Sequence, residues 1–304
     1  MIRYVKAADL DTDKWDACVH RAENGLVYST SWYLDTLGED WDALVLNDYE
    51  AVMPLVYRSK YSVPYIFRPT GVQQLGLTGE KADDPDRFKA FLEAIPSKYK
   101  LMDVFTNSSN AVEELDSSWK KSEQVNLLLE LEDTYEGIYR RFSSQTKRNL
   151  KKAQKQNFKI FEYDPPEVLI RLFRENQANK YSVSDDFYQK MTHLMHVLIH
   201  KKAGRVWTIH DEHNSATAGA FIMEYKGRAT LLFTATDEFG RDTHALTYLI
   251  NEYLVYQSGH LKCFDFEGSN VPGIRKFYAG FGAREDNYYH LRKVNLPLPF
   301  RWLF

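Results

Sequence analysis

Cysteine is nearly absent from this chain of 304 residues, with only Cys18 and Cys263 present. That excludes a disulfide-stapled scaffold and a four-cysteine zinc site. Neither charge sign is in large excess: 39 Lys+Arg face 42 Asp+Glu, for a formal charge of −3. A globally basic nucleic-acid coat and a disordered polyelectrolyte are therefore excluded. No uninterrupted apolar run approaches the roughly 20 residues of a membrane helix. The opening MIRYVKAADL carries charge too early and too often for a secretory leader. Low-complexity tracts, a P-loop, a dinucleotide fingerprint and a Gly-x-Ser-x-Gly elbow are missing too. The expectation is a soluble, cytoplasmic protein without a transmembrane segment.

What is present is ample core-forming material, 44% hydrophobic with 14% aromatic, on a chain long enough for two domains. In the first third the patterning predicts a strand at Ile2–Val5 and a helix after Asp11 or Thr12 with Trp15, Cys18, Val19 and Ala22 on one face. A second helix should start in Ser29–Trp32, where hydroxyls can cap it. Strands follow at Trp41–Leu46, Ala51–Tyr57 and Leu101–Phe105, with a helix at Phe88–Ile95. Val125–Leu131 reads as a buried strand, and Tyr135–Asn157 as a helical stretch broken near Ser143–Ser144. The domain boundary falls at 132/133, giving domains 1–132 and 133–304. In the second half, helices at Pro165–Asn179 and Asp186–His200 precede strands at Val206–His210, Ala218–Tyr225 and Ala229–Thr236. A helix at Thr243–Gln257, a strand at Leu261–Glu267, a short helix at Gly273–Gly280 and a strand at Tyr288–Val294 complete the chain. This order is α/β or α+β, neither bundle nor sandwich. The C-terminal Pro297–Phe304 reads as an extended strap packed on the protein.

The layout AGAFIMEYKGRATLLFTATD, FGRDTHALTYLINEYLVYQSG, LKCFDFEGSN and VPGIRKFYAGFGA resembles the back half of a GNAT acyltransferase domain. The helix SSQTKRNLKKAQKQNFKI and the loop Phe67–Gly76 extend the likeness to the FemAB-like group of tandem GNAT proteins. The resemblance implies two GNAT-like halves, each a mixed, mostly antiparallel sheet flanked by helices. It implies a coenzyme A phosphate site at the turn Gly240, Arg241, Asp242, Thr243, His244 and Ala245, although Thr243 replaces the central glycine of the usual loop. It also implies a tyrosine general acid at Tyr278, in the run Phe277-Tyr278-Ala279-Gly280-Phe281, and a phosphate-binding arginine at Arg148.

The residues themselves add chemistry. Acyl transfer to an amine needs a neutral nucleophile, donors for the oxyanion and a proton for the leaving group. Tyr278 can supply that proton, and as readily can pack as a core aromatic. Asp265 and Glu267, two apart on a strand, share a face and can bind an amine. Glu267 equally suits a helix cap or a bridge to Arg275. Asp237, at the strand-to-helix turn, is a second candidate base. Lys147, Lys151 and Lys155 lie on one helix face beside Arg148, suited to phosphate or simply solvated. Nothing interleaves aromatics with base-reading side chains, so sequence-specific nucleic-acid binding is not expected. His193, His196 and His200 read as a surface stripe, and no metal is expected. The sequence thus leads to an N-acyltransferase using acyl-CoA on a small-molecule or cell-envelope-precursor amine. Its alternatives are a FemAB-type transferase drawing on aminoacyl-tRNA and a catalytically silent binding protein.

Overall fold

The computed structural model describes residues 1–131, 133–176, 183–268 and 270–296. The chain opens with β1 (Ile2–Lys6), α1 (Thr12–Arg21), α2 (Ser31–Thr36), β2 (Asp40–Leu46), β3 (Ala51–Lys60), β4 (Val63–Ile66) and β5 (Thr78–Gly79). Next come α3 (Pro85–Glu93), β6 (Leu101–Phe105) and β7 (Lys120–Gln124). Then follow β8 (Leu127–Glu130), α4 (Tyr135–Arg141), α5 (Ser144–Ala153), β9 (Lys159–Phe161), α6 (Pro166–Asn176), α7 (Asp185–His200) and β10 (Gly204–His210). The chain continues through β11 (Ala216–Tyr225), β12 (Arg228–Thr236), α8 (Glu238–Asp242), α9 (Ala245–Gln257), β13 (Cys263–Asp265), α10 (Pro272–Ala279) and β14 (Arg284–Glu285). It returns with β15 (Tyr288–Val294). Pro297–Phe304, expected as a strap, lies outside the described residues.

Two compact units result: Val125–Asp286 is one, and Met1–Gln124 with the segment from Asn287 onward is the other. In the first unit the strand order is β1-β2-β3-β4-β6-β15-β7, with β5 beside β3. Among the described residues only β4 and β6 pair in parallel there. In the second the order is β14-β8-β13-β12-β11-β10-β9, and among the described residues only β12 and β13 are parallel. Each sheet is thus antiparallel apart from one parallel neighbour pair, which the expected fold class requires.

Local sequence explains the elements. Asp11 caps α1 by accepting from the Lys14 amide, and Trp15, Cys18 and Val19 bury one stripe of it. Ser143 ends α4 and caps α5 through the Thr146 amide, so the basic stretch is a kinked pair of helices. At α2 the expected capping by hydroxyls does not occur, because the Thr30 hydroxyl donates back to the Val27 carbonyl, 2.8 Å away. On β15, Leu291 enters the core of the first unit with Phe88, Phe91 and Met102. In the second unit, Trp207, Ile222, Leu231, Leu249, Tyr253, Phe264 and Phe281 form the core between the sheet and α9.

Leu291 is fully buried, so Leu291→Ala should destabilise the first unit by about 2–5 kcal/mol through lost burial and an unfilled cavity. A lower denaturant midpoint with an unchanged slope checks this.

Candidate functional site

In the second unit β12 and β13 pair at Arg228↔Cys263, Ala229↔Phe264 and Thr230↔Asp265, and nowhere else. β12 then runs on to Thr236, while β13 stops. The cause is local. One Asp265 carboxylate oxygen accepts the Glu267 amide at 2.8 Å, and the chain turns through left-handed conformations at Glu267 (φ 55) and Gly268 (φ 52). A side chain at residue 268 would also strike the Val125 carbonyl, its Cβ lying 2.3 Å from that oxygen. The two strands therefore part beyond Thr230 and leave a wedge.

Asp265 closes the wedge. It is 1% exposed and accepts from Nε and Nη2 of Arg228 at 2.8 and 2.5 Å. The geometry commits this carboxylate to an ion pair and a turn, which leaves little of it for the role of base. Glu267 does not share a strand face with it, because the strand ends first. Arg275 pairs with Glu285. Phe264 and Phe266 point into the core as expected. Tyr278 joins them: its ring stacks on Phe266 with centroids 4.9 Å apart, and the residue is 9% exposed.

At the far end of β12, Asp237 caps α8, accepting from the Gly240 amide at 2.6 Å and from the Thr217 hydroxyl. Asp237 is thereby occupied by structure. Gly240 is required for packing, since a Cβ there would lie 2.2 Å from the Thr217 carbonyl oxygen. The turn amides expected to face an anion are consumed as well. Those of Arg241, Thr243 and His244 donate to the carbonyls of Asp237, Phe239 and Arg241. Arg241 further donates from Nη1 to the Thr236 carbonyl at 2.9 Å.

One element further on, donors remain. His244 adopts the left-handed conformation (φ 60), so the helix expected from Thr243 starts at Ala245, and α9 is left without a side-chain cap. The amides of Ala245, Leu246 and Thr247, the first of α9, have no acceptor among the described residues. They carry the positive end of the helix dipole. The His244 imidazole has a lowered pKa, chiefly because it is desolvated and secondly because Lys152 of α5 lies nearby, with Asp242 opposing. A cationic side chain and three open amides thus converge where sequence reasoning put the phosphate, shifted toward the helix. No glycine or proline marks the break at His244, so the alphabet gave no signal for it.

On α5, Lys147 donates to the Arg140 carbonyl at 3.0 Å and lies over the Tyr139 ring. Arg148 is exposed and donates to Gln145 at 2.7 Å. His196 pairs with Glu167 at 2.7 Å, and among the described residues no three metal-ligating side chains cluster. Among the same residues no helix is long and apolar enough to cross a membrane.

No family model and no curated protein sequence matches the chain. Solved structures do. FemX superimposes with a TM-score of 0.69 at 11% identity, covering 99% of each chain. A tandem GNAT protein from the clavulanic acid biosynthesis pathway gives 0.56 at 11% identity, covering 98% of this chain and 99% of that one. L-PGS from Bacillus licheniformis gives 0.54 at 14%, covering 96% and 95%. The fold is that of the tandem GNAT, FemAB-like proteins.

If Asp265 is structural, Asp265→Asn should cost about 3–5 kcal/mol, the penalty of breaking a buried pair from one side. Denaturant unfolding measures it. A loss below about 1 kcal/mol, the range of exposed pairs, would contradict the assignment.

Proposed function

We propose that this protein is an N-acyltransferase that moves an acyl group from acyl-CoA, or a related phosphate-bearing carrier, to an amine acceptor. The observation that carries the reading is the set of three unengaged amides at the start of α9, beside Lys152 and at the end of the strand that borders the wedge. A carrier pyrophosphate matches that arrangement in charge and in hydrogen-bond demand. His244 and Ala245 sit at this helix start, whereas Gly240, Arg241 and Thr243 build the turn that positions it.

The chemistry follows from the wedge. The β13-facing edge of β12 beyond Thr230, whose other edge pairs with β11, faces the carrier's acyl arm and offers N–H donors to the developing oxyanion. The neutral amine attacks the thioester carbon. The tetrahedral intermediate expels thiolate, and the Tyr278 phenol, held by its ring against Phe266 with the residue 9% exposed, returns a proton to the sulfur. The amine's surplus proton leaves through bound water, since Asp265 and Asp237 are occupied. A small-molecule or cell-envelope-precursor amine is the acceptor class.

The basic face of α5 supports a second reading, in which the carrier is aminoacyl-tRNA and Arg148 with Lys151 and Lys155 meet its phosphates. Steep salt dependence would distinguish the two.

Thermal shift with acetyl-CoA, longer acyl-CoAs and free coenzyme A tests the proposal. At about 100 times Kd each should stabilise by about 2.7 kcal/mol. A flat response to all three defeats the coenzyme A reading. In an assay with a productive amine, Tyr278→Phe should lower kcat about 100-fold with KM retained. Binding without turnover under any amine would leave a binding protein of this fold.

A second test uses pH. Bound phosphate beside His244 favours its protonated form and opposes the depression seen in the free protein. Coenzyme A should therefore bind more tightly as pH falls toward the depressed value of the free imidazole, below 6.5, with proton uptake. Calorimetry in buffers of different ionisation heat reads that uptake, and His244→Gln should abolish it.

A further inference from the structure

A second polar recess in the same unit uses none of these residues. It measures about 340 Å³ and lies between α6 and the turn joining β10 to β11. Val168 and Leu172 give it an apolar side, His210 and Ser215 a polar one, and Arg171 with Glu175 complete the lining.

The His210 wall is rigid. Its Nε2 lies 2.8 Å from Asp164, whose other contact is the Thr208 hydroxyl, and its Nδ1 lies 3.2 Å from the Asn214 carbonyl. Phe161 packs on the ring at 4.5 Å. The side chain of His210 is 12% exposed. This wall is pre-organised and has its own charges satisfied.

The α6 wall is the opposite case. Arg171 and Glu175, both exposed, stand one turn apart on the helix, in the order base then acid that pairs less readily than the reverse. Neither is paired with the other, or with any described residue. Both border the same recess. A guanidinium binds a carboxylate through two parallel hydrogen bonds, and a glutamate binds an ammonium. A ligand carrying both groups would bridge the two side chains where they do not bridge each other, with the Ser215 hydroxyl as an additional partner. Val168 and Leu172 would take an aliphatic portion.

We infer that this recess is a binding site for a zwitterionic amino acid, held by its carboxylate on Arg171 and by its ammonium on Glu175. The inference stands independently of the acyl-transfer reading, because it concerns the unliganded protein and a different set of side chains.

Ligand-observed NMR on the full chain with pooled free L-amino acids, followed by calorimetry on individual ones, tests it. At least one should bind saturably, and its deaminated acid and its decarboxylated amine should each bind at least about tenfold more weakly. Arg171→Ala and Glu175→Gln should each produce a loss of similar size with circular dichroism unchanged, whereas Lys152→Glu should leave binding intact. No saturable binding at millimolar amino acid overturns the inference. So does equal affinity for either singly charged analogue, or affinity unaltered in both α6 variants.

Discussion

The pairing of Arg228 with Asp265 governs the shape of the second unit. Two charge-assisted hydrogen bonds join β12 and β13, parallel neighbours in that sheet, from the first shared residue of β12 to the last of β13. The carboxylate's other oxygen turns the backbone away at Glu267. One side chain therefore ends a strand and defines where its neighbour loses its partner on that side. Desolvating both charges is expensive, and the pair persists because three donors, two from Arg228 and the Glu267 amide, reach the carboxylate. An apolar pair of equal volume would hold the strands together, but it would not capture the Glu267 amide and would not force the divergence.

The end of β12 shows a complementary economy. Asp237 gathers the Gly240 amide and the Thr217 hydroxyl, which ties α8 to β11. The five residues of α8 absorb the direction change, so α9 can begin with its first turn uncapped. Burial of His244 disfavours its imidazolium, and Lys152 adds to that effect. Positive potential at the helix start thus comes from peptide dipoles and an amine, with the imidazole held in reserve as a group that charges when an anion arrives.

Most elements were legible because they are strongly periodic or strongly capped. Trp15, Cys18 and Val19 marked α1, and Ser143 marked the break between α4 and α5. The GNAT likeness rested on spacing in the last hundred residues, and the superpositions support it at identities of 11–14%. The site was less legible. Asp265, Asp237 and Gly240 stand at the positions where chemistry was expected, but tertiary partners absorb them: Arg228, Thr217 and a carbonyl oxygen. A sequence gives the types of groups present and not which of them are already spoken for. The left-handed His244 is the sharper case. An ordinary residue adopts a conformation that glycine or asparagine usually advertises, so the helix expected from Thr243 begins two residues later, after a separate short helix.

β15 lies between β6 and β7, although the whole second unit separates it from them along the chain. During synthesis the first ten elements emerge with a gap in their sheet that only the closing stretch of polypeptide can fill. The second unit is continuous and has all its strands as soon as Asp286 clears the ribosome. Assembly on the ribosome is therefore inverted: the segment made later can complete itself first, while the segment made earlier waits with β7 unpaired and an edge of β6 open. Over that interval the nascent amino-terminal portion is the part exposed to strand-adding partners and to chaperones.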